Sequence, residues 1–119
     1  MKNPLCHWEL MVSDVDKAKT FYGKVFGWKF NDTGMMGYTL IDAGKEPGGG
    51  LMAKPDQAPF CSLNNYFLVE SIDETLKKAV EAGATVVVPK MEVPGIGYHA
   101  SFLDPDKICV GIFEELHKK

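Results

Sequence analysis

Val12-Ser13-Asp14-Val15-Asp16 and Val69-Glu70-Ser71-Ile72-Asp73 decide how this chain folds. Each closes an apolar strand pattern and opens an amphipathic helix with a capping residue at the junction. A shift of 57 residues sets Ser71 on Asp14 and brings the two halves into register. Beyond the junction, Ala18, Phe21, Tyr22, Val25 and Phe26 recur at helical spacing, as do Ile72, Leu76, Ala79 and Val80. Each helix stops at a small-residue break, Gly27 or Gly83-Ala84, and a strand-like run follows. A period near half the chain length is the mark of one supersecondary unit used twice.

Working outward, Leu5 to Val12 reads as the first strand and Ser13 or Asp14 as the cap of a helix ending near Phe26, with Gly27 as a left-handed stop. Trp28–Asp32 and Tyr38–Asp42 form a hairpin around Thr33-Gly34, and a fourth strand runs from Gly49 to about Lys54. Pro55 and Pro59 mark Lys54 to Leu63 as the connector. The second half repeats the order: strand Asn64–Val69, helix Ile72–Ala82, and strand Thr85–Val88, which Pro89 and Pro94 interrupt. Strands Tyr98–Leu103 and Ile108–Glu114 then flank an Asp104-Pro105-Asp106-Lys107 turn. The expectation is a single domain with module one at about 4–54 and module two at about 63–115, βαβββ twice.

The 119 residues suffice for one core without staples, and 45% apolar with 24% charged residues is ordinary for a globular chain. A net charge of −3 argues against nucleic acid, and the basic His117-Lys118-Lys119 reads as a solvated tail. No apolar run is long enough to span a bilayer, and no signal peptide is evident at the start. Cys6, Cys61 and Cys109 lack CxxC spacing and read as reduced, buried thiols of a cytoplasmic protein.

His7-Trp8-Glu9-Leu10 ahead of the first junction, Lys17-Ala18-Lys19-Thr20-Phe21-Tyr22, Val25-Phe26-Gly27-Trp28, Pro94-Gly95-Ile96-Gly97-Tyr98 and Phe102-Leu103-Asp104-Pro105-Asp106 together resemble the vicinal oxygen chelate superfamily. That superfamily holds glyoxalase I, bleomycin-resistance proteins and extradiol dioxygenases, and in detail the chain is similar to its glyoxalase-related predicted-enzyme branch. The resemblance implies an α+β fold in which two tandem βαβββ modules form a curved mixed sheet around a cavity. It also implies a small-molecule ligand and a homodimer. In metal-dependent members one ligand comes from the first and last strand of each module. Carried over, these positions fall on His7, near Gly50 to Met52, on Asn64 and on Gly111. One imidazole and one amide enclose a divalent ion poorly, so a metal cofactor is disfavoured and none is expected; His7 is the only matching ligand. A set of His7, Glu9 and His99 stays open as an unusual alternative.

Strand alternation puts Trp8, Leu10 and Val12 against the helix stripe of Phe21, Tyr22 and Val25, leaving His7, Glu9 and Met11 on the opposite face. Asn64, Tyr66 and Leu68 share a face of the fifth strand, and Cys109, Gly111 and Phe113 a face of the eighth. Glu9 is the first candidate for a general base: in an apolar pocket its charged form is disfavoured, which strengthens it as a proton acceptor. The bland reading is a partnered or solvated carboxylate. His7 can exchange a proton or bond Glu9, and its alternative is a satisfied core histidine. Met11, Met52, Asn64, Tyr66, His99 and Phe113 are candidate substrate contacts, with Tyr38 weaker because its facing depends on register. Gly48-Gly49-Gly50 has no helix behind it and reads as a tight loop or bulge rather than a phosphate cradle. The expected function is a lyase or isomerase acting on an oxygen-rich or carbonyl substrate. The rival is a non-catalytic protein that sequesters a drug or metabolite.

Overall fold

The computed structural model describes residues 2–34, 37–56 and 61–116. Pro59 and the His117-Lys118-Lys119 tail lie outside them. The architecture is α+β: β1 (Leu5–Val12), α1 (Val15–Phe26), β2 (Lys29–Asp32), β3 (Tyr38–Asp42), β4 (Gly49–Ala53), β5 (Ser62–Leu68), α2 (Ile72–Glu81), β6 (Thr85–Val93), β7 (Gly97–Leu103) and β8 (Cys109–Glu115). This is βαβββ twice, and the chain divides into two compact units.

The first unit, His7–Asn64, holds strands in the order β2-β3-β4-β1, with β1 and β4 parallel and the other pairs antiparallel. Asp14 is the cap: its carboxylate accepts from the Lys17 amide at 3.1 Å, and Gly27 ends α1 in the left-handed conformation at φ 71°. Trp8, Leu10 and Val12 pack with Val15, Tyr22, Trp28 and Phe30 around buried Ala18, Ile41 and Leu51. Tyr22 joins this cluster, but Phe21 and Val25 are 57% and 53% exposed, so the expected helix stripe is rotated. The inward stripe starts from Val15 and Ala18, which puts Tyr22 inside and turns its neighbours out.

The second unit takes the residues up to Cys6 together with those from Asn65 onward, and its strands run β5-β8-β7-β6. The opening residues belong here because the Leu68 amide donates to the Pro4 carbonyl at 2.8 Å, and Asn3 Nδ2 donates to the Leu68 carbonyl at 3.0 Å. Helix α2 is capped by Ser71, whose hydroxyl accepts from the Glu74 amide at 3.2 Å. Its core is Val69, Ile72, Ala100 and Ile112, with Leu76, Tyr98 and Phe102 packed around it. The Lys107 amide closes the expected turn onto the Asp104 carbonyl at 2.8 Å.

Two expectations are corrected here. Strand β6 does not stop at Val88 but continues through Pro89 to Val93, with register shifts against β7 between Val86 and Met91. As the border strand of its sheet it needs no amide from Pro89 on the outer side. Cys61 and Cys109 are free but exposed, and only Cys6 is partly covered. Cys109 starts β8 beside the turn, where the sheet has not yet been roofed.

Candidate functional site

The site in the first unit follows from strand register. Glu9 pairs with Gly50 and Met11 with Met52 across β1 and β4; Gly50 pairs with Leu40 and Met52 with Tyr38 across β4 and β3. Glu9, Met11, Met52 and Tyr38 therefore share the sheet face turned away from α1. Tyr38 leans diagonally from the Met52 row over Gly50 and reaches β1. There its hydroxyl donates to Glu9 Oε2 at 2.9 Å and lies 2.7 Å from His7 Nε2.

Glycine at position 50 is what lets this happen. A Cβ added there would overlap the Tyr38 hydroxyl and ring. On the other face, a Cβ at Gly49 would come 2.7 Å from the Trp8 indole, whose Nε1 donates to the Pro47 carbonyl at 3.0 Å. Gly49 and Gly50 thus open the fourth strand where it was expected to begin, gripped between two aromatic rings, and of the Gly48-Gly49-Gly50 run read as a loop or bulge only Gly48 lies outside the strand.

The direction of the hydrogen bonds follows from donor arithmetic. Tyr38 has one proton, and with Glu9 accepting it, the phenolic oxygen accepts from His7 Nε2–H. In this direction of the chain His7 carries a hydrogen on Nε2. Burial pushes the His7 pKa below its usual 6.5, and the Glu9 charge opposes that shift only in part. Glu9 does not stand in the apolar pocket expected of it; Tyr38 supplies a partner. The sequence-level option of a His7–Glu9 bond takes the form of a bridge through this hydroxyl. Tyr38, ranked low for want of register, is the central residue, and the available signal was the Gly49-Gly50 pair two positions before Met52.

The second unit carries the same notch. Tyr66 pairs with Gly111, and Gly111 with Ser101; Phe113 pairs with Leu68 and with His99. The 57-residue shift sets Tyr66 on Glu9, and register sets Gly111 on Gly50 and His99 on Tyr38. A Cβ at Gly111 would come 2.5 Å from Cδ1 of the Tyr66 ring, which meets His99 edge-on at 6.3 Å between centroids. His99 Nδ1 is buried without a hydrogen-bond partner. Asn64, set on His7 by the shift, donates from Nδ2 to the Ser62 hydroxyl at 3.1 Å. Within its own unit the structure therefore brings together His7, Glu9, Met11, Met52 and Tyr38, and in the other Tyr66, His99 and Phe113; Asn64 turns to its own strand. Among the described residues, no group of three or more His, Cys, Asp or Glu side chains is placed to hold a metal ion, and no helix is long and apolar enough to cross a membrane.

A family model described as bleomycin resistance protein-like N-terminal matches residues 5–44, the stretch that carries His7, Glu9 and Tyr38. CFP32 of Mycobacterium bovis, provisionally named a glyoxylase, is 26% identical over 113 residues, covering 89% of this chain and 43% of its own length. DnrV of Streptomyces peucetius, named an anthracycline biosynthesis protein, is 29% identical over 113 residues, covering 77% of this chain and 40% of its own length. The chain thus spans less than half of these curated relatives. Among solved structures, methylmalonyl-CoA epimerase from Mycobacterium tuberculosis superposes with a TM-score of 0.68 at 16% identity, covering 95% of this chain and 88% of that one. Homoprotocatechuate 2,3-dioxygenase from Brevibacterium fuscum gives 0.71 at 23% identity, covering 95% of this chain and 37% of that one. The duplicated βαβββ architecture and these likenesses together fit the vicinal oxygen chelate superfamily that the sequence resembles.

Proposed function

We propose that this chain forms a glyoxalase-like site for a small oxygen-rich or carbonyl compound and performs lyase or isomerase chemistry with Glu9 as the base. The observation that carries this is the hydrogen-bonded chain Glu9–Tyr38–His7 on the sheet face that α1 leaves uncovered. A carboxylate held in place by a hydroxyl, beside an imidazole and two adaptable methionines, suits proton abstraction next to a carbonyl. The curated relative with a glyoxylase name supports the same class.

The reading includes work without the four-ligand metal centre. The last-strand ligand positions that the resemblance implies fall near Gly50 to Met52 and on Gly111, none of which is a carboxylate, and tyrosine rings occupy the space above Gly50 and Gly111. His7 Nε2, the atom an ion would need, is bonded to Tyr38. These residues do not fit a four-ligand ion. A homodimer in the cytoplasm completes the proposal; free cysteines throughout support the compartment, and the superfamily's habit supports the dimer.

The decisive experiment is a thermal-shift screen against 2-oxoaldehyde thiol adducts, catechols and planar antibiotics, followed by turnover assays on the hits. Glu9→Gln abolishes any turnover found while sparing binding. Full activity in that variant refutes the base assignment. The second reading, sequestration of a planar compound, is favoured by the bleomycin-resistance-like match and the anthracycline-biosynthesis relative. It predicts tight binding by both wild type and Glu9→Gln with no product formed by either.

A further inference from the structure

We propose that Tyr38 is the hydrogen-bond donor to the substrate oxygen on which negative charge develops, and that protonation of Glu9 is what releases it for that task. The inference rests on the reading of Glu9 as base and adds a residue and a switch to it.

At rest the single Tyr38 proton is committed to Glu9 Oε2 at 2.9 Å, while His7 Nε2–H, 2.7 Å away, donates to the phenolic oxygen. When Glu9 removes the proton from a carbon next to a carbonyl, the C–H electron pair forms the new C=C bond. The carbonyl π pair moves onto oxygen, giving an enolate. Glu9 is now a carboxylic acid and no longer needs the Tyr38 proton. Its own O–H turns to the phenolic oxygen, which has two lone pairs and takes this second hydrogen beside the one from His7. The Tyr38 O–H is thereby freed to rotate towards the enolate oxygen. Return of the proton from Glu9 to carbon restores the resting chain, so atoms and electrons balance without a further reagent.

Two features of the first unit make this arrangement specific. Gly50 leaves the notch through which Tyr38 crosses β4, so the hydroxyl is seated beside Glu9 and His7. Burial lowers the His7 pKa, which favours the uncharged ring as the donor to Tyr38. Donors aimed at a developing oxyanion contribute strongly when they are preorganised and shielded from water.

Two measurements test this. Long-range proton–nitrogen correlation spectra of the whole labelled chain at pH 8, with His7→Gln for assignment, report the His7 tautomer. Hydrogen on Nε2 is expected, and hydrogen on Nδ1 overturns the direction of the chain whatever the ligand. The second is an absorbance titration with the anion of 4-nitrocatechol, a stable bearer of an aromatic oxyanion. Glu9→Gln, a mimic of the protonated base, should bind it several-fold more tightly than wild type. Tyr38→Phe should bind it about tenfold more weakly, and the double variant should match Tyr38→Phe. Equal affinity in wild type and all variants refutes the Tyr38 role and leaves the ligand-binding proposal standing. No binding by any of them refutes both.

Discussion

Gly50→Ala is the sharpest test of the first-unit site. The added methyl would overlap the Tyr38 hydroxyl, so the ring must swing off β4 and give up its bonds at 2.7 Å to His7 and 2.9 Å to Glu9. The neutral bond contributes about 1 kcal/mol and the charged one about 2 kcal/mol. Replacing glycine by alanine in a strand returns about 0.5–1 kcal/mol through the unfolded chain. The net loss is about 2 kcal/mol, which for a chain of this size lowers Tm by roughly 8 °C. Calorimetry and urea unfolding measure it, and a cycle with Tyr38→Ala isolates the cause. With the ring gone, the alanine has room, and the same substitution should turn neutral or slightly stabilising. An equal penalty in both backgrounds, or none in wild type, refutes the account of position 50 as a passage for Tyr38.

Glu114 is only 7% exposed and accepts from the Ile72 amide at 2.8 Å in the first turn of α2, so Glu114→Ala strands a buried donor and should cost about 2–3 kcal/mol by urea titration, with Glu114→Gln costing less. The folded His7 pKa lies below the unfolded value of 6.5, so the native state resists protonation; stability is full above about pH 6.5 and falls as pH drops from there through the folded pKa. Unfolding curves from pH 8 to pH 5 should be flatter for His7→Gln than for wild type. With a disulfide reagent on the native chain, exposed Cys61 should react first and Cys109 more slowly, since burial raises its thiol pKa. Cys6 should be slowest, being partly covered, bonded to the Tyr66 carbonyl at 3.5 Å, and raised by burial and the Glu115 charge.

Elements with local chemistry were legible in the sequence. Asp14, Gly27, Ser71 and the Asp104–Lys107 turn declare themselves through caps and turn residues, and alternation along β1 sorted Trp8, Leu10 and Val12 from His7, Glu9 and Met11 correctly. What depended on pairing between distant strands was not legible. Tyr38 gains its importance only from a β3–β4 register that seats it two residues from Gly50, and no local signal fixes that register. The glycine run gave the start of β4 but not its purpose for a related reason: small residues announce a close approach, but a turn and a crossing side chain demand it equally. The rotation of α1 that exposes Phe21 and Val25 was hidden because five apolar residues on one helix leave more than one inward stripe available.

Strand β6 has a consequence for solubility. A bare sheet border with Val86, Val87 and Met91 exposed would recruit matching strands from other copies of the chain. Pro89 removes a donor from that border, and the two register shifts warp it away from flatness. A stretch that looks like a folding imperfection thus disfavours edge-to-edge stacking of copies, and straightening it with Pro89→Val should lower the concentration at which the chain aggregates, as light scattering would read.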